Sequence, residues 1–172
     1  MSVNRIDSFN LGTVDNTVTF ILDSNILYFV HSGYYSSTYS KYTAYSKLLQ
    51  RIMSKGNPLL VTSLNLQEFI FGIENKEYEL HLGATGKNRT RYTKKDFRKD
   101  AVLRSSVQSK VKIALAEIKV AYGLCDVSVT TKTIESFVDD YLVVDATNKK
   151  DIIYITDDTD FQSDSRVEIL TI

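Results

Sequence analysis

The sequence contains one cysteine, Cys125, in 172 residues, so no disulfide can close within the chain and cysteine-rich zinc sites are excluded. A reducing compartment suits that composition. Net charge is missing as well: 21 Lys and Arg balance 21 Asp and Glu, and any case for a polyanionic partner must rest on local distribution. The two histidines, His31 and His81, stand alone in no metal-ligand spacing, which leaves them surface or structural roles. No apolar run approaches the ~18 residues of a membrane span, and Met1 to Asn16 lacks the apolar core of a secretion signal. The expectation is a soluble, cytoplasmic protein with no membrane association. Its length suits a single domain over residues 1–172, without internal repeats or low-complexity linkers.

What the chain does have is an alternation of two periodicities. Val18 to Leu22 is an apolar, β-rich run that ends at Asp23, and the helix-compatible stretch Asn25 to Val30 follows it. Tyr42, Tyr45, Leu48, Leu49, Ile52 and Met53 recur at helical spacing until Gly56-Asn57-Pro58 stops them, before a short strand at Leu59 to Thr62. Leu66, Phe69, Ile70 and Ile73 mark a second helix. From Glu74 to Asp100 the pattern dissolves, and a basic, irregular insertion is expected over about 75–105. Val107 to Ala121 restores an amphipathic helix that Gly123 can end, and Asp126 to Thr130 alternates like a strand. Ile134 to about Lys149 is helical in period, Ile152 to Thr156 a strand, and Val167 to Ile172 a last strand. Such alternation predicts a three-layer α/β/α domain around a central, mainly parallel sheet of five strands.

Acidic residues stand where those strands end. Asp23 follows the first strand, and Asp157, Asp158 and Asp160 follow Ile152 to Thr156. Parallel sheets bind ligands at the carboxyl ends of their strands, where carboxylates distant in sequence can converge. Two carboxylates ~4 Å apart repel by about 4 kcal/mol at an effective dielectric near 20, so a cluster of them calls for a cation or a proton. All-oxygen ligands select Mg²⁺ or Mn²⁺. Each acid also has a plainer reading: Asp23 with Asn25 as an N-cap and turn, Glu68 as the partner of Asn65 in a capping box, and Asp139-Asp140 as a solvated helix face. The turn of three acids after a buried strand has none that is inexpensive.

The order and spacing of these motifs resemble the PIN-domain family of metal-dependent ribonucleases, which includes the VapC-like toxins of bacterial toxin–antitoxin pairs. FILDSNILYF is similar to its opening strand, Asp-Thr-Asn and helix, with Ser24 in place of Thr. VTSLNLQEFIFGI matches the hydroxyl residue that precedes a helix carrying Glu, DYLVVDAT from Asp140 matches the third motif, and TDDTDF from Thr156 to Phe161 the fourth. The resemblance implies that Asp23, Glu68, Asp140 and Asp158 are the catalytic, metal-holding acids, with Asp160 a further ligand and Asn25, Thr156 and Asp139 in support. Asp139 beside Asp140, and Asp145 where the family usually has alanine, leave the identity of the third acid open among the three. The activity implied is hydrolysis of RNA phosphodiester bonds by a water activated by Mg²⁺ or Mn²⁺, with a small antitoxin protein as a potential partner and a homodimer among the open states.

A different class of function is also open, a non-catalytic PIN-like module that binds RNA or protein and uses its acids structurally. A haloacid-dehalogenase-like phosphatase is disfavoured, because Asp23-Ser24-Asn25-Ile26-Leu27 lacks the second Asp and the Thr that such an enzyme places after its first strand. Basic residues cluster once, at Lys87, Arg89, Arg91, Lys94, Lys95, Arg98 and Lys99. That run is either a solvated loop or a patch that tracks RNA phosphates, with Lys87, Arg89, Arg91, Lys94 and Lys95 as its contacts. Tyr34, Tyr35, Tyr39, Tyr42 and Tyr45 suit core packing, a partner surface or, third, base stacking. Cys125 reads as a small hydrophobe.

Overall fold

The run of Phe20, Ile21 and Leu22 is apolar on both sides because the strand it forms is buried on both sides. It belongs to a computed structural model that describes residues 3–125, 151–159 and 168–171. The strands are β1 (Val3–Arg5), β2 (Thr19–Leu22), β3 (Leu59–Thr62), β4 (Gly123–Cys125), β5 (Ile152–Ile155) and β6 (Glu168–Thr171). The helices are α1 (Ser24–His31), α2 (Ser40–Lys55), α3 (Ser63–Thr85), α4 (Lys94–Lys99) and α5 (Ala101–Ala121). The expected strand at Asp126 to Thr130, the expected helix from Ile134 to about Lys149, and the acids Asp139, Asp140, Asp145 and Asp160 lie outside the described residues.

Among the described residues the sheet has six strands in the order β1-β6-β5-β2-β3-β4, and every pairing is parallel. The α/β class and the parallel sheet are those the sequence predicts. Four of the five expected strands are β2, β3, β5 and β6; the two not expected are β4, which precedes the stretch read as a strand, and β1, where Val3, Asn4 and Arg5 pair with Ile169, Leu170 and Thr171. Three residues are too few to show a period of two, so pairing rather than pattern defines that edge. One face of the sheet presents Phe20, Leu22, Leu59, Val61, Ile153, Ile155 and Leu170 to Ile26, Leu27, Leu48, Ile52, Phe69, Ile73, Ala114 and Ile118 of α1, α2, α3 and α5. The opposite face is also buried, with Ile21, Tyr154 and Ile169 in contact with Leu60 and Leu64. Burying each such aliphatic side chain contributes about 1.5–3 kcal/mol.

Two expectations need correction. Gly123 does not act as a helix terminator; it is the first residue of β4, paired with Leu60, and a Cβ there would lie 2.6 Å from Leu60 Cδ2. Helix α5 ends one residue earlier, at extended Tyr122. The stretch from Glu74 to Asp100 is mostly helical rather than irregular: α3 runs on to Thr85, and Thr93 starts α4 with a capping box to Asp96. The apolar signal there is thin because Tyr78, Leu82 and Phe97 build a separate small core of their own. Arg98 adds a two-bond pair to Glu74, at 2.5 and 2.6 Å.

Candidate functional site

The strand order reverses beside β2. From β2 the chain moves outward through β3 and β4, whereas β5 and β6 lie on its other side. Such a reversal leaves a crevice at the carboxyl ends of the two strands that flank it, where helices cannot cover both. Leu22 is paired with Ile155 in register, so the residues that follow each of them, Asp23 and Thr156, meet at the mouth of that crevice.

Asp23 is the N-cap of α1 and is buried. Its Oδ1 accepts from the Ser24 amide at 2.5 Å and from Asn65 Nδ2 at 3.5 Å. Its Oδ2 accepts from Asn25 Nδ2 at 2.7 Å and from the Thr156 hydroxyl at 2.6 Å. The plainer reading as an N-cap is therefore correct, and it coexists with a position in the crevice. Burial pushes the carboxyl above the ordinary carboxylate range, the hydrogen bonds from Thr156 and Ser24 oppose that, and the charge of Asp158 adds to it. The Asp158 backbone amide donates to the same Thr156 hydroxyl that donates to Asp23, so one hydroxyl links the two residues.

The surrounding polar groups are held in one orientation each. Thr156, fully buried, donates to Asp23 and accepts from the Asp158 amide at 3.0 Å and from Asn25 Nδ2 at 3.3 Å. The Asn25 amide oxygen accepts from the Asp157 amide at 3.3 Å, which turns its nitrogen toward Asp23. Asp157 itself faces away from that network, toward Lys41 Nζ and the Tyr45 hydroxyl, the latter at 3.1 Å.

Asn65 is a residue that sequence reasoning assigned to a different task. The N-cap of α3 is Thr62, not Asn65. Asn65 occupies the third helical position, where its amide N–H donates to Thr62 Oγ1 at 3.1 Å while the Thr62 hydroxyl donates back to Asn65 Oδ1 at 2.5 Å. That exchange fixes the amide so that its nitrogen faces Asp23. The spacing Thr-x-x-Asn was the available signal. Glu68, half-buried, lies three residues further along α3 on the Asn65 side of the helix.

Among the described residues, no three acids or histidines lie close enough together to hold a metal ion unaided. The donor set of Asp23 and Asp158 is nevertheless hard oxygen, and burial with like-charge repulsion disfavours ionised Asp23 in a way that a cation would offset. The residues present fit such an ion as part of its ligand set.

The basic run lies elsewhere. From Asn65 to Thr85 the axis of α3 covers about 30 Å at 1.5 Å per residue, and Lys87 follows that far end. Lys87 Nζ stands 3.9 Å from the Tyr92 ring centroid, Arg89 pairs with Glu79, and Lys94 bonds Asn75. Arg91 and Lys95 are exposed. None of the five joins Asp23. The histidines take structural roles: His31 bonds Glu117 at 3.3 Å and the Tyr122 hydroxyl at 2.8 Å, and His81 tilts against Tyr92. Cys125 is half-buried on β4.

No protein-family profile and no curated protein matches the chain. A solved structure similar to it is that of VapBC2 from Rickettsia felis bound to a DNA fragment from their promoter, at 16% identity over 88% of this chain and 97% of that one, with a TM-score of 0.49. A likeness of that depth speaks to neither activity nor partner.

Proposed function

We propose that the chain is a Mg²⁺- or Mn²⁺-dependent endoribonuclease of PIN type, in which Asp23 and Asp158 hold the ion together with Glu68 and with Asp140 and Asp160, both of which lie outside the described residues. The observation that carries this reading is that buried Asp23 and the Asp158 backbone share the Thr156 hydroxyl at the strand-order reversal between β2 and β5. A pair of like charges placed at a ligand-binding crevice costs stability unless a proton or a cation neutralises one of them. When bound, the ion supplies Lewis acidity that acidifies a water for attack on phosphorus and offsets charge growing on the phosphoryl oxygens. In-line attack by water with cleavage of the P–O3′ bond leaves a 5′-phosphate and, once O3′ is protonated, a 3′-hydroxyl. Thr156, Asn25 and Asn65 hold the Asp23 carboxylate in a fixed orientation before any substrate arrives. A toxin role, with a small antitoxin protein as partner, rests on the motif resemblance alone.

One observation favours the competing reading of a non-catalytic binding module: Asp23 accepts hydrogen bonds on both oxygens and is satisfied without an ion. Single-stranded RNA incubated with Mn²⁺ separates the two. The nuclease reading expects 5′-phosphorylated fragments from the wild type, none in EDTA and none from Asp158→Asn. Cleavage that persists unchanged in the variant or in EDTA contradicts it, and absence of cleavage by the wild type supports the binding module.

A further inference from the structure

Aromatic rings cluster around the connection between α1 and α2, beside Asp157. Tyr35 and Tyr39 stack with ring centroids 4.5 Å apart and planes 26° from parallel. Phe29 of α1 meets Tyr35 edge-on at 5.5 Å and Tyr39 at 5.9 Å, and its own ring lies parallel to Tyr45 at 6.1 Å. Lys41, in the first turn of α2, places Nζ 5.5 Å from the Phe29 centroid and pairs with Asp157, the residue between Thr156 and Asp158. The Tyr45 hydroxyl reaches the same Asp157. Rings and lysine therefore meet at Asp157, on the outer side of the turn whose other residues, Thr156 and Asp158, belong to the Asp23 network.

That surface is open. Tyr35 and Tyr39 are half-buried and the Lys41 side chain is 38% exposed, so the tyrosines and the lysine are each partly open to solvent. Asp157 uses one of three ammonium N–H donors, and Lys41 is held protonated by that hydrogen bond. An aromatic stack that ends at the surface beside an available cation suits a base and its phosphate, because every nucleobase has a face to stack and the contact is indifferent to sequence. Packing alone does not need a lysine there.

We infer that Tyr35, Tyr39 and Lys41 form a binding site for one unpaired nucleotide, its base against the tyrosine stack and its phosphate on Lys41 Nζ, next to Asp158. The inference rests on the nuclease reading for what happens to the bound strand. A base paired in a duplex cannot present its face to the rings, so duplex RNA is excluded at this position.

The test measures binding of a fluorescein-labelled single-stranded RNA oligomer, and of its duplex, in metal-free buffer where no cleavage occurs. The single strand is expected to bind more tightly than the duplex. Tyr39→Leu, which keeps bulk but cannot stack as a ring does, is expected to weaken it roughly tenfold, within the range for loss of one base–aromatic stack. Tyr39→Trp is expected to hold or improve it, and Lys41→Gln to weaken it and lower its salt dependence. A 2-aminopurine in the oligomer is expected to lose fluorescence on binding the wild type and Tyr39→Trp, and not on binding Tyr39→Leu. Equal affinity for duplex and single strand, unchanged binding by Tyr39→Leu, or no binding by the wild type overturns the inference. Thermal melts with Mn²⁺ on the same samples keep the two readings apart: binding intact with no metal-induced stabilisation overturns the nuclease alone, and stabilisation with Tyr39→Leu binding normally overturns the nucleotide site alone.

Discussion

The Thr156 hydroxyl donates a 2.6 Å hydrogen bond to Oδ2 of Asp23, tying the end of β5 to the start of α1. Both residues are buried, and Thr156 accepts two further N–H groups at the same oxygen. Thr156→Val keeps the shape and removes all three bonds, so a loss of about 1–3 kcal/mol is expected from the groups left unpaired. Asp23→Asn is expected to be destabilising as well, because it turns an amide nitrogen toward hydrogen-bond donors. Urea unfolding at neutral pH measures both, and full stability in Thr156→Val contradicts the network.

His31 is held between Glu117 and the Tyr122 hydroxyl at the other end of α1. Burial lowers its pKa from the ordinary 6.5, only partly opposed by the Glu117 carboxylate. A histidine in the unfolded chain therefore takes up its proton at a higher pH than the folded one does. Stability from neutral His31 is complete above pH 6.5 and is lost as pH falls through the lower, folded value. The wild type is expected to lose stability as pH falls below about 6.5, and His31→Gln to flatten that slope. An equal slope in both proteins assigns the pH dependence to other groups.

Phe97 anchors α4 against Tyr78 and Leu82, apart from the main core. Phe97→Ala is expected to cost about 3 kcal/mol and to be felt locally first, since the sheet does not depend on this cluster. Hydrogen exchange is expected to quicken over α4 and the end of α3 while β2 and β5 stay protected. Uniform loss of protection across the molecule contradicts a separate small core.

The central strands were readable from sequence because burial on both faces leaves a continuous apolar run, as in Phe20 to Leu22 and Ile152 to Ile155. The placement of Asp23 and the Thr156 to Asp158 turn at neighbouring strand ends was readable for a related reason: polar residues directly after such runs must sit at strand ends. The far half of α3 was not, since Tyr78 and Leu82 serve a three-residue cluster and leave no wide apolar stripe. Strand β1 gave no signal because it is defined by pairing with β6. Asn65 was misassigned because a helix N-cap is compatible with either Thr62 or Asn65 on local chemistry, and only contact with Asp23, 42 positions away, decides between them.

The pairing of Asp23 with Asp158 as holders of a divalent ion is tested most directly by thermal unfolding of the wild type and Asp158→Asn, each with and without Mn²⁺. Without the ion, Asp158→Asn is expected to be at least as stable as the wild type, because it removes a charge that opposes ionisation of Asp23. With Mn²⁺ at about one hundred times its dissociation constant, the wild type is expected to gain about 2.7 kcal/mol, roughly 5–10 °C for a chain of this size. The variant is expected to gain little or nothing. Equal metal-induced shifts in the two proteins, or no shift in the wild type, contradict a metal site built on these acids.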